Sequence, residues 1–317
     1  MNAPAPSVEV KNLTVAFGEF KAVDDISFEV QPGEIFGFLG ANGAGKTTTI
    51  RVLCGLLKPT RGEVCVGGLC LRDGLTPVKQ RVGYMSQKFT LYQDLTVIEN
   101  LEFTAALRKM PQDLFKSRVE EILNFIGFDR DRKTLVRDLP GGLKQEVSLA
   151  AAILPDPIVV FLDEPTAGVT PAARARFWAL IRNLSEKGKT VFVTTHYMDE
   201  AEQCGRIALM RTGRIIALDT PAGLKQSAFP ESMVELTLAP DHPHSLDNQA
   251  EKTLLERLKA EGGLLEMKPH GMRYHALVGN ADVWNRCLQS AGRDFTAKPI
   301  LPSLEDVFIR LVEGPQR

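Results

Sequence analysis

The sequence predicts an α/β fold: a mixed sheet with an inserted helical subdomain, followed by a small α+β domain. Three observations carry that expectation. An apolar strand at Glu34–Leu39 runs into the glycine-rich segment Gly40–Gly45, and helix-compatible sequence follows from Lys46 to about Leu56. Strand–helix alternation returns with Ile158–Leu162, a helix from Pro171 to about Lys187 closed by Gly188, and the strand Thr190–Thr194. Short continuous apolar strands of this kind suit a parallel sheet covered on both faces. The tail then changes to a β–α–β–β–α–β pattern with one further helix.

In chain order, the first 30 residues read as two strands, Val8–Phe17 and Ala22–Val30, joined by the turn-prone Gly18-Glu19. Thr96 and Glu99 have capping-box spacing ahead of an apolar pattern, and a second helix covers about 112–126 with Gly127 as its stop. After the hairpin Arg206–Leu218, a link is expected through Pro221–Pro230. The tail reads as a strand at Met233–Leu238, a helix at Ala250–Ala260, and strands at Leu264–Lys268 and Arg273–Val278. A helix at Ala281–Ser290, a strand at Phe295–Ile300 and a helix at Ser303–Val312 complete an order that suggests a ferredoxin-like domain. At roughly 150 residues per domain, the 317 residues divide into 1–225, with 88–147 as the helical insert, and an accessory domain at 226–317.

Composition narrows the function classes. Apolar residues are 44% and charged residues 24%, the balance of an ordinary globular protein. A formal net charge of −1 argues against nucleic acid as a partner, because phosphate binding leaves a basic face. The most apolar stretch, Ser148–Leu162, is broken by Pro155, Asp156 and Pro157, so no membrane span is expected. The first ten residues lack the basic and apolar regions of a signal peptide. The cysteines Cys54, Cys65, Cys70, Cys204 and Cys287 form no CxxC pair, which predicts reduced thiols in a cytosolic protein. The tail histidines His242, His244, His270 and His275 show no metal-ligand spacing.

Chemistry concentrates in two motifs. Residues Gly40 to Thr47 satisfy GxxxxGK[ST], a P-loop. Its glycines let the chain wrap a phosphate with its own N–H groups, and the following helix adds its positive end. Lys46 supplies a point charge near the β/γ-phosphates, and Thr47 a hydroxyl for Mg²⁺. The second motif is the apolar strand that ends in Asp163-Glu164. In a P-loop protein a carboxylate at the end of a neighbouring strand can hold the Mg²⁺ shell, as Asp163 would. Glu164 beside it is placed to orient or deprotonate an attacking water.

With the residues between and around these motifs, the chain over about 8–225 resembles the ATP-binding subunit of an ABC transporter. Leu139-Pro140-Gly141-Gly142-Leu143-Lys144-Gln145 is similar to the family's signature LSGGxxQ. Gln87 resembles the Q-loop glutamine, His196 the switch histidine and Phe17 the aromatic that stacks on adenine, with Val23 flanking the base. The resemblance implies a P-loop ABC ATPase fold that uses ATP and Mg²⁺. Gly40, Ala41, Asn42, Gly43, Ala44, Gly45, Lys46, Thr47 and Thr48 would bind the nucleotide, with Gln87, Gly141 and Gly142. Thr47, Gln87 and Asp163 would hold the metal, and Lys46, Glu164 and His196 would be catalytic. It further implies closure of two ATPase subunits over ATP, a separate transmembrane permease, and a cytoplasmic place on the membrane's inner face.

Three positions depart from the pattern: Pro140 replaces the signature serine, Thr170 an aspartate and Glu146 an arginine. They imply a hydrolytic site of the chain's own beside a weakened signature face. The segment Gln87–Tyr92 and the ending Pro302–Phe308 resemble exporter ATPases of the drug-resistance type, with the insert around 88–110 docking on the permease. Two other readings are a non-transport ABC ATPase of translation or DNA repair, and a non-hydrolysing regulator. The single cassette, the lack of sustained heptads and CxxC pairs, and the intact Lys46, Asp163, Glu164 and His196 favour transport.

Overall fold

The computed structural model describes residues 5–238, 256, 263–270, 273–280, 282–286 and 295–313. The chain divides into two compact units, Met1–Pro221 and Ala222–Arg317.

In the first unit, β1 (Val8–Phe17) and β2 (Phe20–Val30) form a hairpin about Gly18-Glu19. With β4 (Arg61–Val66) and β5 (Leu69–Cys70) they make an antiparallel sheet of order β2-β1-β4-β5. The second sheet has the order β10-β9-β3-β8-β7-β6. Its strands are β3 (Ile35–Leu39), β6 (Val82–Met85), β7 (Val159–Asp163), β8 (Thr190–Thr195), β9 (Arg206–Arg211) and β10 (Arg214–Asp219). All its pairings are parallel except β9–β10. Phe28 of β2 stacks on Phe36 of β3 at 5.6 Å, and Phe38, Phe161 and Phe192 join them in one core between the sheets.

The glycine-rich loop leads into α1 (Lys46–Leu53), and α2 (Leu75–Arg81) precedes β6. The helical insert holds α3 (Val97–Leu107), α4 (Gln112–Phe125) and α5 (Gly141–Ile153). Thr96 and Glu99 form the expected capping box, and Gly127 turns the chain after α4 at φ 63°. The helix α6 (Pro171–Glu186) is capped by Thr170 and followed by Gly188 at φ 80°.

Two expectations are corrected here. Residues expected as a link form α8 (Pro221–Ala228), because proline suits a first helical turn and Leu224 finds a buried position. Cys65 and Cys70 are joined by a disulfide rather than reduced: the β4–β5 hairpin sets them directly opposite each other. Cys54 and Cys204 are free and buried, and Cys287 lies outside the described residues.

The second unit is an antiparallel sheet of order β12-β13-β11-β14, from β11 (Ser232–Leu238), β12 (Leu264–His270), β13 (Arg273–Val278) and β14 (Phe295–Ile300). The first and third strands lie at its centre, the arrangement of the ferredoxin-like pattern. Residues 282–286 are helical and bring Trp284 onto Val234, Leu236 and Ala276. The helix expected at 250–260 lies outside the described residues apart from Glu256. The last helix, Leu304–Glu313, starts at a capping box between Ser303 and Asp306 and buries Leu304 and Val307.

Candidate functional site

The site forms at the carboxyl ends of β3, β7 and β8, three adjacent parallel strands. In such sheets the crevice beyond these ends is where ligands bind. After Leu39 the loop takes backbone shapes that only glycine adopts freely, with φ 80° at Gly43 and 110° at Gly45. Gly40 is required for space: a Cβ there would lie 2.3 Å from the Met210 carbonyl oxygen. Ala41, Asn42 and Gly43 form an exposed rim, Ala44 is buried, and Thr48 is half-buried on α1. Lys46 is buried, and its ammonium curls back to donate to the carbonyls of Gly40 (2.7 Å) and Ala41 (3.2 Å).

Asp163 and Thr194 are partners across β7 and β8. Asp163 Oδ1 accepts from the hydroxyls of Thr194 (2.6 Å) and Thr47 (3.2 Å), while Oδ2 is buried without a hydrogen-bond partner. A buried carboxylate oxygen left without a donor is costly. Beside a threonine hydroxyl it has the hard oxygen chemistry that Mg²⁺ requires, so these residues fit that ion. Burial and the Asp163 charge push the Tyr84 phenol up to about 12, and the same two causes raise the buried Cys54 thiol.

Glu164 is the hub. Its backbone is left-handed, at φ 49°, and its amide is held by the Thr194 carbonyl (3.1 Å) and hydroxyl (3.0 Å). Strained backbone of this kind persists where the surroundings over-determine it. Its Oε1 lies 3.5 Å from the Lys46 ammonium. Its Oε2 accepts from Gln87 Nε2 at 3.0 Å and lies 3.2 Å from His196 Nδ1. The structure thus gathers Lys46, Gln87 and His196 around one carboxylate, with Thr47 and Asp163 beside it.

Other expected residues lie elsewhere. Phe17 is 55% exposed at the tip of the β1–β2 hairpin. Val23 is a correction: paired with Val15, it is wholly buried in the core and presents no side-chain surface to a base. Its neighbour Ala22 reaches the loop instead, since its carbonyl oxygen would meet a Cβ at Gly45 at 2.4 Å.

Gly141 and Gly142 open α5 and do not join the hydrogen-bond network around Glu164. A Cβ at Gly141 would meet nothing within 4 Å, whereas at Gly142 it would lie 2.8 Å from Ala173 Cβ of α6. Pro140 sits at the N-cap without a side-chain cap bond. Thr170 caps α6 through Ala173 N. Glu146 is buried and pairs at 3.0 Å with Arg176 of α6, and desolvation raises its carboxyl above the usual range.

Thr194 is a residue of this network that the sequence did not reveal. It bridges Asp163 and Glu164, and its only signal is a Thr-Thr pair ending an apolar strand.

Fold and site define a P-loop α/β protein, and comparison with known proteins places it more closely. The ABC transporter family model matches residues 23–167. The probable multidrug ABC transporter ATP-binding protein YbhF of Escherichia coli is 45% identical over 225 residues, 71% of this chain and 39% of that protein. The chain thus spans about two fifths of the YbhF proteins it matches. Nod factor export ATP-binding protein I of Paraburkholderia xenovorans is 35% identical over 309 residues, 97% of each chain. Among solved structures, cbiO1 from Clostridium perfringens, part of the ABC transporter complex cbiONQ, is similar with a TM-score of 0.65 and 26% identity, covering 70% of this chain and 91% of that one. The bacterial ABC transporter cassette MJ0796, solved as a dimer, gives 0.61 and 27%, covering 67% and 98%. This chain belongs to the family of ABC transporter ATP-binding proteins.

Proposed function

We propose that this chain binds ATP at Gly40–Thr48 and hydrolyses it with Glu164 as the group that orients and deprotonates the attacking water. The observation that carries this reading is the Glu164 carboxylate held among Lys46, Gln87 and His196. Positioning by three neighbours is what a general base needs before any proton moves. Thr47 and Asp163, with Gln87 beside them, would hold Mg²⁺, which when bound offsets charge on the transferring phosphoryl group. Lys46 draws negative charge to the β/γ-phosphates, and Phe17 offers an exposed ring for the base.

The chain works as one of two ATPase subunits on a separate membrane permease. Support for a partner ATPase comes from Gly141, whose open surroundings give no reason within the chain for a glycine at the start of α5. A second chain's nucleotide phosphate would approach there, meeting the helix's free amides. Support for the permease comes from a groove of about 270 Å³ on the helical insert, where Tyr92, Phe103 and Leu107 are exposed. The export direction rests on relatives named for multidrug transport, Nod factor export and linearmycin resistance.

Mild-detergent purification of the chain from its native cells, with mass spectrometry of what accompanies it, tests this. A polytopic membrane protein is expected. Ribosomal or DNA-repair proteins with no membrane subunit would overturn the transport reading and leave the ATP site standing.

A further inference from the structure

Glu200 is an ionisable side chain at 1% exposure to which nothing above gives a task. It lies on the short helix α7 (Met198–Ala201), just after His196. Its carboxylate accepts hydrogen bonds from two buried hydroxyls. One is Thr166, two residues after Glu164, and the other is Thr195, at 2.7 Å, immediately before His196. Arg174 of α6 approaches from a third side, with Nε 3.2 Å from the carboxylate. The same guanidinium lies over the Tyr197 ring, 4.3 Å from its centroid, and that ring packs against the His196 imidazole at 4.1 Å. The Tyr197 amide donates to the Thr195 hydroxyl at 3.0 Å. Both neighbours of His196 are therefore tied to one buried carboxylate, Thr195 directly and Tyr197 through Arg174. A third tie reaches the loop that carries Glu164.

A buried carboxylate is held in place by the cation and hydrogen-bond donors around it, and losing one partner leaves the others uncompensated. What Glu200 holds are the two backbone segments whose side chains meet 3.2 Å apart as His196 Nδ1 and Glu164 Oε2.

We propose that Glu200 is a positioning residue for hydrolysis: it sets the approach of His196 to Glu164 from behind, without touching either. Because Arg174 stands on α6, which packs against Gly142 of the signature helix, the same anchor joins the reacting histidine to the face that meets the partner ATPase. The inference rests on the hydrolytic reading of Glu164 and His196.

The test is steady-state ATPase kinetics of the full chain with Mg²⁺ and ATP, with melting temperature measured alongside. Glu200→Gln keeps the shape and removes the charge. It should lower kcat about tenfold, part of the contribution that a well-placed base makes, and leave KM for ATP within about twofold. Thr195→Val removes the hydroxyl's bonds to Glu200 and from the Tyr197 amide with no change of charge, and it should lower kcat at constant KM even if Glu200→Gln fails to fold. Arg174→Met combined with Glu200→Gln should lose about as much as either alone, because both act through one bracket. Unchanged kcat in folded variants, or losses that track only the melting temperature, would overturn the inference while leaving the hydrolytic reading intact. An unmodified chain that binds ATP without turnover would overturn both.

Discussion

The carboxyl edge of the parallel sheet and the first turn of α5 are built to different rules. At the sheet edge the charged groups are gathered by the chain itself: Lys46 donates to two carbonyls, Glu164 accepts from Gln87 with Lys46 and His196 close by, and Asp163 Oδ1 accepts from two hydroxyls while its Oδ2 is left open. At the start of α5 the chain answers little. Gly141 faces open space, Pro140 offers no cap, and the charged pair Glu146–Arg176 secures the helix one turn further in. The difference separates a site whose charged groups folding has already positioned around one opening from a surface whose groups the chain leaves almost unengaged.

The largest effect expected from breaking this contrast is at Glu164. Glu164→Gln should reduce phosphate release by about 100-fold or more, the share of a general base, while fluorescent-nucleotide titration shows binding retained. Loss of binding together with turnover would remove the assigned role. Next comes a pair of glycines. Gly40→Ala drives a Cβ against the Met210 carbonyl and should cost about 1–3 kcal/mol, visible as a lower melting temperature. Gly141→Ala should leave the melting temperature unchanged or slightly raised, since alanine favours helix, and should still depress turnover. Equal behaviour of the two variants would erase the contrast.

A smaller gain follows from repairing the outer surface. Pro140→Ser with Thr170→Asp should raise ATPase activity roughly fivefold, the worth of about one net hydrogen bond. No change in turnover would sink the idea of a weakened signature face. The smallest effect concerns Glu146. Burial raises its carboxyl in the folded state, so the folded chain takes up that proton more readily than the unfolded chain. Stability from this group therefore falls as pH rises through its range and recovers on acidification. Denaturant titrations from neutral to mildly acidic pH should show that slope in the native chain and lose it in Glu146→Gln.

Much of the fold was legible because its strands are short apolar runs and its helices carry their own caps, as at Thr96 and Thr170. The segment from β4 to β6 was not, because its strands run from two to six residues and gain their place by pairing with β1 and β7. The helix at 221–228 hid behind prolines that usually mark a link. Motif residues stood out wherever a ligand dictates the residue type. Thr194, Thr166, Thr195 and Glu200 did not, since their roles arise only where two strand ends meet. Val23 was misplaced because resemblance gives position along a strand, whereas the β1–β2 register decides which face a side chain takes. Register also explains Cys65 and Cys70, which a two-residue glycine turn brings opposite each other.

The left-handed backbone at Glu164 has a consequence for anyone who would evolve this protein. Glycine or asparagine occupies that conformation with less strain, by on the order of 1 kcal/mol. The same change would leave the buried Lys46 ammonium, 3.5 Å from Glu164, without its counter-charge, a larger loss than the strain relieved. A library screened for heat resistance alone would therefore keep a carboxylate at 164, so its retention there is not by itself a sign that turnover was selected.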